Sequence, residues 1–97
     1  MTMSATERRI VKTLLERAHG FGWSVSVNDG EAWTVKSAHA EFSILAPALA
    51  TTDADTLRFR DATGAKIGSV VLVWGNDEDL ISDCSDNEEI NALCANI

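Results

Sequence analysis

The stretch that most constrains the fold is residues 66–74, which ends in the letters VVLVW. Its first half can alternate between polar and apolar residues, as a half-buried β-strand does, but residues 70–74 are apolar at every position. A strand that is apolar on both faces is typical of a central strand covered on both sides, or of a strand at a subunit contact. The run therefore predicts a strand that is internal to a sheet carrying helices.

The beginning of the chain predicts an amphipathic helix over residues 5–19. Ser4 and Glu7 have the spacing of a capping box, and Gly20 is suited to the left-handed conformation that ends a helix while Phe21 folds back toward Leu15. Apolar residues recur at helical spacing along one side only. This helix is expected to cover a sheet with that side.

Two hairpins are predicted on either side of a second helix. Residues 23–27 and 33–35 alternate around a turn at 28–30, and the alternation favours a position in the core for Trp23 and Trp33. The second hairpin has Leu57 and Phe59 inward, a turn at 61–64, and the strand 66–74. The helix between the hairpins begins near Ser37 and is expected to stop or kink at Pro47.

The last helix is predicted after Ser85 or Asp86, either of which is a suitable N-cap. Acidic residues 88 and 89 then occupy its first turn, where the helix dipole favours them, and residues 90, 93, 94 and 97 form its apolar side. The predicted order is helix, strand, strand, helix, strand, strand, helix. Strands joined by hairpins give a four-stranded, mainly antiparallel sheet with helices packed on it, an α+β fold. We expect residues 1–97 to form a single domain.

Charge and cysteine usage exclude several classes of function. The chain carries fifteen acidic and eight basic residues, and the segment 67–97 contains no Lys or Arg. A broad basic surface is therefore not expected, which argues against direct binding of nucleic acid. No apolar run has the length of a signal peptide or of a membrane span. Cys84 and Cys94 have no metal-binding spacing, so we expect free thiols in a reducing cytoplasm and no catalytic cysteine.

The acidic stretch that follows Gly75 has several interpretations. An EF-hand beginning at Asp77 fails, because Ile81 and Ser82 occupy positions that need an oxygen ligand and a glycine. A looser divalent-ion site formed by Asp77, Asp79 and Asp83, within the loop 76–83, remains an alternative. Mimicry of a phosphate backbone is another. The favoured interpretation is a solvated surface that also caps the last helix.

The segment GSVVLVWGNDEDLISD at residues 68–83, with the preceding DATGAKIG, resembles a group of small uncharacterised bacterial proteins associated with phages and plasmids. That resemblance implies an accessory protein of a mobile element and no particular reaction. Since the residues supply no catalytic, cofactor or phosphate-binding motif, we expect a non-enzymatic protein that acts by contact with another protein, with no cofactor. The alternative is a small-ligand or metal-binding module.

The predicted partner is a protein, and an acidic surface suits a basic one. Trp74 is the large side chain expected on the strip of sheet that the helices leave uncovered, which favours a homodimer. The predicted partner-binding residues are Asp77, Glu78, Asp79, Asp83 and Trp74.

Overall fold

The computed structural model describes residues 3–97, which form three α-helices and an antiparallel sheet. The helices are α1 (Ala5–Gly20), α2 (Phe42–Leu45) and α3 (Glu88–Cys94), and 3₁₀ segments occur at Ala46–Ala48 and Asp77–Asp79. The strands are β1 (Ser24–Asn28), β2 (Trp33–Ser37), β3 (Ala54–Arg60), β4 (Lys66–Val73) and β5 (Ile81–Cys84). Their order across the sheet is β2-β1-β3-β4-β5. The α+β class, the antiparallel sheet and both hairpins are confirmed.

The predicted number of strands and the predicted order of elements were wrong, because the sheet has five strands rather than four and the fifth lies between β4 and α3. The additional strand, β5, pairs with β4 through Val71 opposite Asp83 and Leu72 opposite Ile81. This strand is short and lies in the acidic stretch, where it has no clear alternation of apolar residues. Its presence leaves β4 between two neighbours, so the prediction that the apolar strand is internal is confirmed.

Both ends of α1 are defined by local contacts. At its start, the Ser4 hydroxyl accepts a hydrogen bond from the Glu7 N–H, and the Glu7 carboxylate accepts one from the Ser4 N–H, which is the predicted capping box. At its end the prediction was wrong in detail. The left-handed residue is Gly22, with φ of +79°, rather than Gly20. Phe21 is half exposed and stacks near Trp23 instead of folding back onto the helix.

The helix predicted after Ser37 is much shorter than its sequence pattern indicates. Ser37 belongs to β2, and its hydroxyl accepts a hydrogen bond from the Glu41 N–H. The α-helical segment covers only Phe42–Leu45, and the chain then continues as the 3₁₀ segment Ala46–Ala48, which contains Pro47. Proline lacks the N–H that an α-helix needs, so the expected interruption near Pro47 is confirmed.

The cap of α3 is Asn87, whose side-chain oxygen accepts a hydrogen bond from the Ile90 N–H at 2.8 Å. The prediction of Ser85 or Asp86 was therefore wrong. The Ser85 hydroxyl instead accepts a hydrogen bond from the Ser69 N–H of β4. At the other end of α3, the Arg17 guanidinium donates to the Leu93 carbonyl at 2.9 Å, which joins α1 to α3.

The three helices lie on one face of the sheet, which we call the covered face. Their buried side chains and those of the strands belong to one apolar cluster; the strand residues in it are Val25, Val27, Leu57, Phe59, Val70 and Leu72. Gly68 lies beneath α3, where an added Cβ would come within 2.7 Å of Ile90. None of the helices formed by residues 3–97 combines the length and the apolar character needed to cross a membrane.

Candidate interaction surface

The opposite face of the sheet carries no helix, and we call it the open face. Side chains directly opposite each other on antiparallel strands point to the same side, so the pairing of the strands identifies its members. On β3, buried Asp55, Leu57 and Phe59 alternate with half-buried residues that point the other way. The open face is formed by Ser24, Ser26, Asn28, Trp33, Lys36, Ala54, Thr56, Arg58, Arg60, Lys66, Ser69, Val71, Val73 and Asp83.

Basic side chains converge on the open face from separate parts of the sequence. Ser26 pairs with Lys36 on one side and with Arg58 on the other, so these two cations flank one serine in a single row. In the next row outward, Arg60 pairs with Lys66. Every Lys and Arg between positions 21 and 66 is thus on this face. These residues are far apart in the sequence, and strand pairing brings them together.

Arg58 of the middle strand β3 stacks on Trp33 of the edge strand β2 on the open face. The guanidinium carbon lies 3.9 Å from the centre of the indole ring, within the range of a cation–π contact. Trp33 remains 46% exposed, and the Nε of Arg58 has no hydrogen-bond acceptor among residues 3–97. The expected core position of Trp33 was wrong. A bulge between Val27 and Asn28 shifts the register of β1 against β2, so that Trp33 pairs with Asn28 on the open side.

Trp74 does not belong to this surface. It is buried on the covered side, and its indole N–H donates to the Asp55 carboxylate at 2.8 Å. The same carboxylate oxygen accepts from the Ala50 N–H at 2.9 Å, while the other oxygen has no partner among residues 3–97. Burial raises the pKa of Asp55, although both hydrogen bonds lower it in part. The predicted role of Trp74 on an uncovered strip was therefore wrong.

Glu7 is the second buried carboxylate, and its pKa is shifted in the opposite direction to that of Asp55. One oxygen accepts from the Ser4 N–H, and the other accepts from the Gly75 N–H at 2.7 Å and from Asn76. Burial tends to raise the pKa of Glu7, but these hydrogen bonds together outweigh it, so the pKa is lowered. The carboxylate joins the start of α1 to the chain that leaves β4.

The predicted acidic residues are divided between two elements. Asp77, Glu78 and Asp79 form the 3₁₀ segment between β4 and β5, whereas Asp83 lies on β5 and accepts a hydrogen bond from the Cys84 N–H. Within residues 3–97, no group of three or more His, Cys, Asp or Glu side chains has an arrangement that could hold a metal ion. The divalent-ion alternative thus has no geometry to support it.

The cysteines come together, which their sequence positions did not indicate. Both are free thiols, and Cys94 of α3 lies near Cys84 of β5. Burial raises the pKa of Cys94 to about 11, and the neighbouring Cys84 adds to the rise, while the charge of Arg17 opposes it. At neutral pH the Cys94 thiol is therefore protonated, a state that is poorly suited to nucleophilic chemistry.

The histidines lie at a shallow groove of about 390 Å³ between α1 and the segment that precedes α2. One ring nitrogen of His19 lies 2.8 Å from the His39 carbonyl oxygen, so this contact fastens the segment to the end of α1. The groove is also lined by Lys12, Glu16 and Glu41.

No protein-family model, no curated protein and no solved structure matches this chain.

Proposed function

We propose that this chain is a non-enzymatic accessory domain that acts by binding another protein through the open face of its sheet. The observation that carries the proposal is the Trp33–Arg58 stack, in which a large aromatic ring from the edge strand β2 is left 46% exposed on the uncovered face of the sheet. Tryptophan and arginine are the side chains that most often dominate binding energy at protein interfaces. Since the opposite face is closed by helices, the open face is the larger surface of the sheet that a partner can reach.

The wider setting is part of the same proposal. The resemblance of residues 68–83 to small phage- and plasmid-associated proteins supports an accessory role in a mobile element, and the two free thiols agree with a reducing cytoplasm. A non-enzymatic role is supported by the protonated state of Cys94 and by the structural use of His19 at the end of α1. The proposed contact surface is therefore the open face. It takes the place of the surface predicted from the acidic stretch and Trp74, because Trp74 is buried.

The experiment compares the wild type with Trp33→Ala and a control of equal exposure. Ile44 is 44% exposed but lies on α2, on the helical side of the molecule, so Ile44→Ala removes a similar apolar surface elsewhere. Each protein is immobilised and used to capture partners from a bacterial lysate, with quantification by mass spectrometry. We expect a protein retained by the wild type and by Ile44→Ala and lost with Trp33→Ala. Equal retention by all three proteins would contradict the proposal.

A further inference from the structure

We infer that the partner segment that binds the open face is acidic and extended, with carboxylates that meet Lys36, Arg58 and Arg60. The inference rests on the proposed function, since it assumes that the open face is the contact surface. It reverses the partner chemistry expected from composition, because a chain with a net charge of −7 has four of its eight Lys and Arg residues on this one face. Among the outward-facing strand residues, only Asp83 is acidic, and it lies at the far edge on β5.

The spacing of the cations fits an extended segment. Arg58 and Arg60 are two residues apart on β3, which is about 7 Å along a strand. An extended chain repeats its side chains on one side at the same interval, so carboxylates at alternate positions match this pair. Lys36 is two strands away from Arg58, at a distance of about 10 Å, and broadens the cationic area sideways.

The stack with Trp33 prepares Arg58 to bind a carboxylate. The indole holds the guanidinium plane, so less side-chain entropy is lost when a ligand binds. Beside this stack, the buried Nε of Arg58 has no hydrogen-bond partner among residues 3–97. Arg60 is partly engaged, because its terminal nitrogen donates to the Gly64 carbonyl at 2.9 Å. Arg58 is therefore the principal carboxylate contact.

The remaining side chains favour a protein segment over a nucleic acid. Trp33 lies in a row of paired residues across the sheet that also contains Thr56 and Val71. The cations therefore border a partly apolar strip. A polynucleotide requires phosphate neutralisation along its length and aromatic platforms for successive bases, whereas this face offers one exposed indole. The net charge of −7 adds long-range repulsion of a polyanion.

A second copy of this chain fits the open face poorly. A two-fold axis parallel to the strands would pass over β3, the middle strand of five, and would bring Arg58 of one copy onto Arg58 of the other. Like charges at such a contact oppose association. The homodimer predicted through Trp74 thus gains no support from this face.

The test is a nuclear magnetic resonance titration of the labelled full chain with defined probes. The probes are a peptide of about ten residues that alternates Glu with Val, the same peptide with Gln in place of Glu, and a single-stranded oligothymidylate of about ten nucleotides. We expect the Glu peptide to shift amide signals of open-face residues, with an affinity that falls as salt rises. Arg58→Glu and Lys36→Glu should each weaken that binding about tenfold or more, while Arg9→Glu on α1 should not change it.

Each other result overturns the inference. Equal binding of the Gln peptide, or no shift with any probe, would exclude the acidic chemistry. Tighter binding of the oligothymidylate would assign the face to nucleic acid. Shifts of the same residues with increasing protein concentration alone would assign it to a second copy. These failures are distinct from failure of the proposed function: if Trp33→Ala abolishes capture from the lysate while charge reversal at Arg58 does not, the face binds a protein and only the acidic partner is wrong.

Discussion

Leu72 and Val71 are adjacent on β4, yet Leu72 is fully buried under the helices whereas Val71 is half-buried on the open face. The same contrast holds on β3, where buried Leu57 adjoins half-buried Arg58. One face of the sheet therefore belongs to the core that stabilises the domain, and the other is a surface that no helix covers. The apolar residues on the two sides of β4 therefore have different environments.

The largest effect is expected when Asp is introduced at the two adjacent positions Leu72 and Val71. We expect Leu72→Asp to lower the free energy of unfolding by more than about 4 kcal/mol, because lost apolar burial adds to the cost of an unpaired buried carboxylate. Val71→Asp should cost only about 1 kcal/mol, chiefly through repulsion from Asp83 opposite it. Urea unfolding followed by circular dichroism measures both values. Equal losses would contradict the assignment of the two faces.

The buried carboxylates of the covered face should make the stability of the domain depend on pH. The pKa of Glu7 is lowered in the folded chain, so its stabilising contribution is complete above its ordinary value of 4.5 and is lost as pH falls through the folded value. We expect Glu7→Gln to cost about 3 kcal/mol at neutral pH, since the amide nitrogen would face an N–H donor of Ser4 or Gly75. The difference from the wild type should vanish in acid.

Asp55 is expected to act in the opposite sense. Its pKa is raised in the folded chain, so its protonated form is the stable one and its contribution is lost as pH rises above 3.8 through the folded value.

Melts between about pH 3 and pH 7 compare the wild type with Glu7→Gln, and Glu16→Gln, exposed on the same helix, is the control. A deficit in Glu7→Gln that is constant across this range would show that Glu7 does not act as a buried carboxylate.

A smaller effect is expected where α3 contacts the sheet. Gly68→Ala would place a methyl group within 2.7 Å of Ile90 and 2.9 Å of Ser85, so we expect a loss of about 2 kcal/mol as the helix shifts. The matched control is Ser69→Ala, at the neighbouring residue, whose side chain lies on the open face. It should change the free energy of unfolding by less than about 0.5 kcal/mol. Chemical unfolding curves decide this. Equal stability of Gly68→Ala and the wild type would mean that α3 is not seated on β4.

Local patterns in the sequence were sufficient for much of this architecture. The capping box of α1, both hairpin turns and the internal position of β4 depend on residues that are close in the chain. The strand β5 was missed because four residues with two polar positions carry little periodicity. Asn87 was passed over as the cap since Ser85 and Asp86 are equally suitable residue types.

The candidate surface was not predictable in the same way. The side of the sheet to which Trp74 points depends on the phase of a strand that is apolar on both faces, and sequence alone leaves that phase open. Trp33 changed sides because of a bulge, which no nearby residue type signals. Lys36 and Arg58 become neighbours only when β2 and β3 pair with the two edges of β1.

Quenching of tryptophan fluorescence measures whether one face of the sheet is open and cationic. Trp23 and Trp74 are 8% and 5% exposed, so the accessible emission should come from Trp33 alone. We expect iodide to quench a distinct fraction of the wild-type emission, caesium to quench it less because of nearby Arg58 and Lys36, and Trp33→Phe to remove that fraction. A wild-type protein resistant to both ions, or a Trp33→Phe variant quenched as strongly as the wild type, would contradict the account.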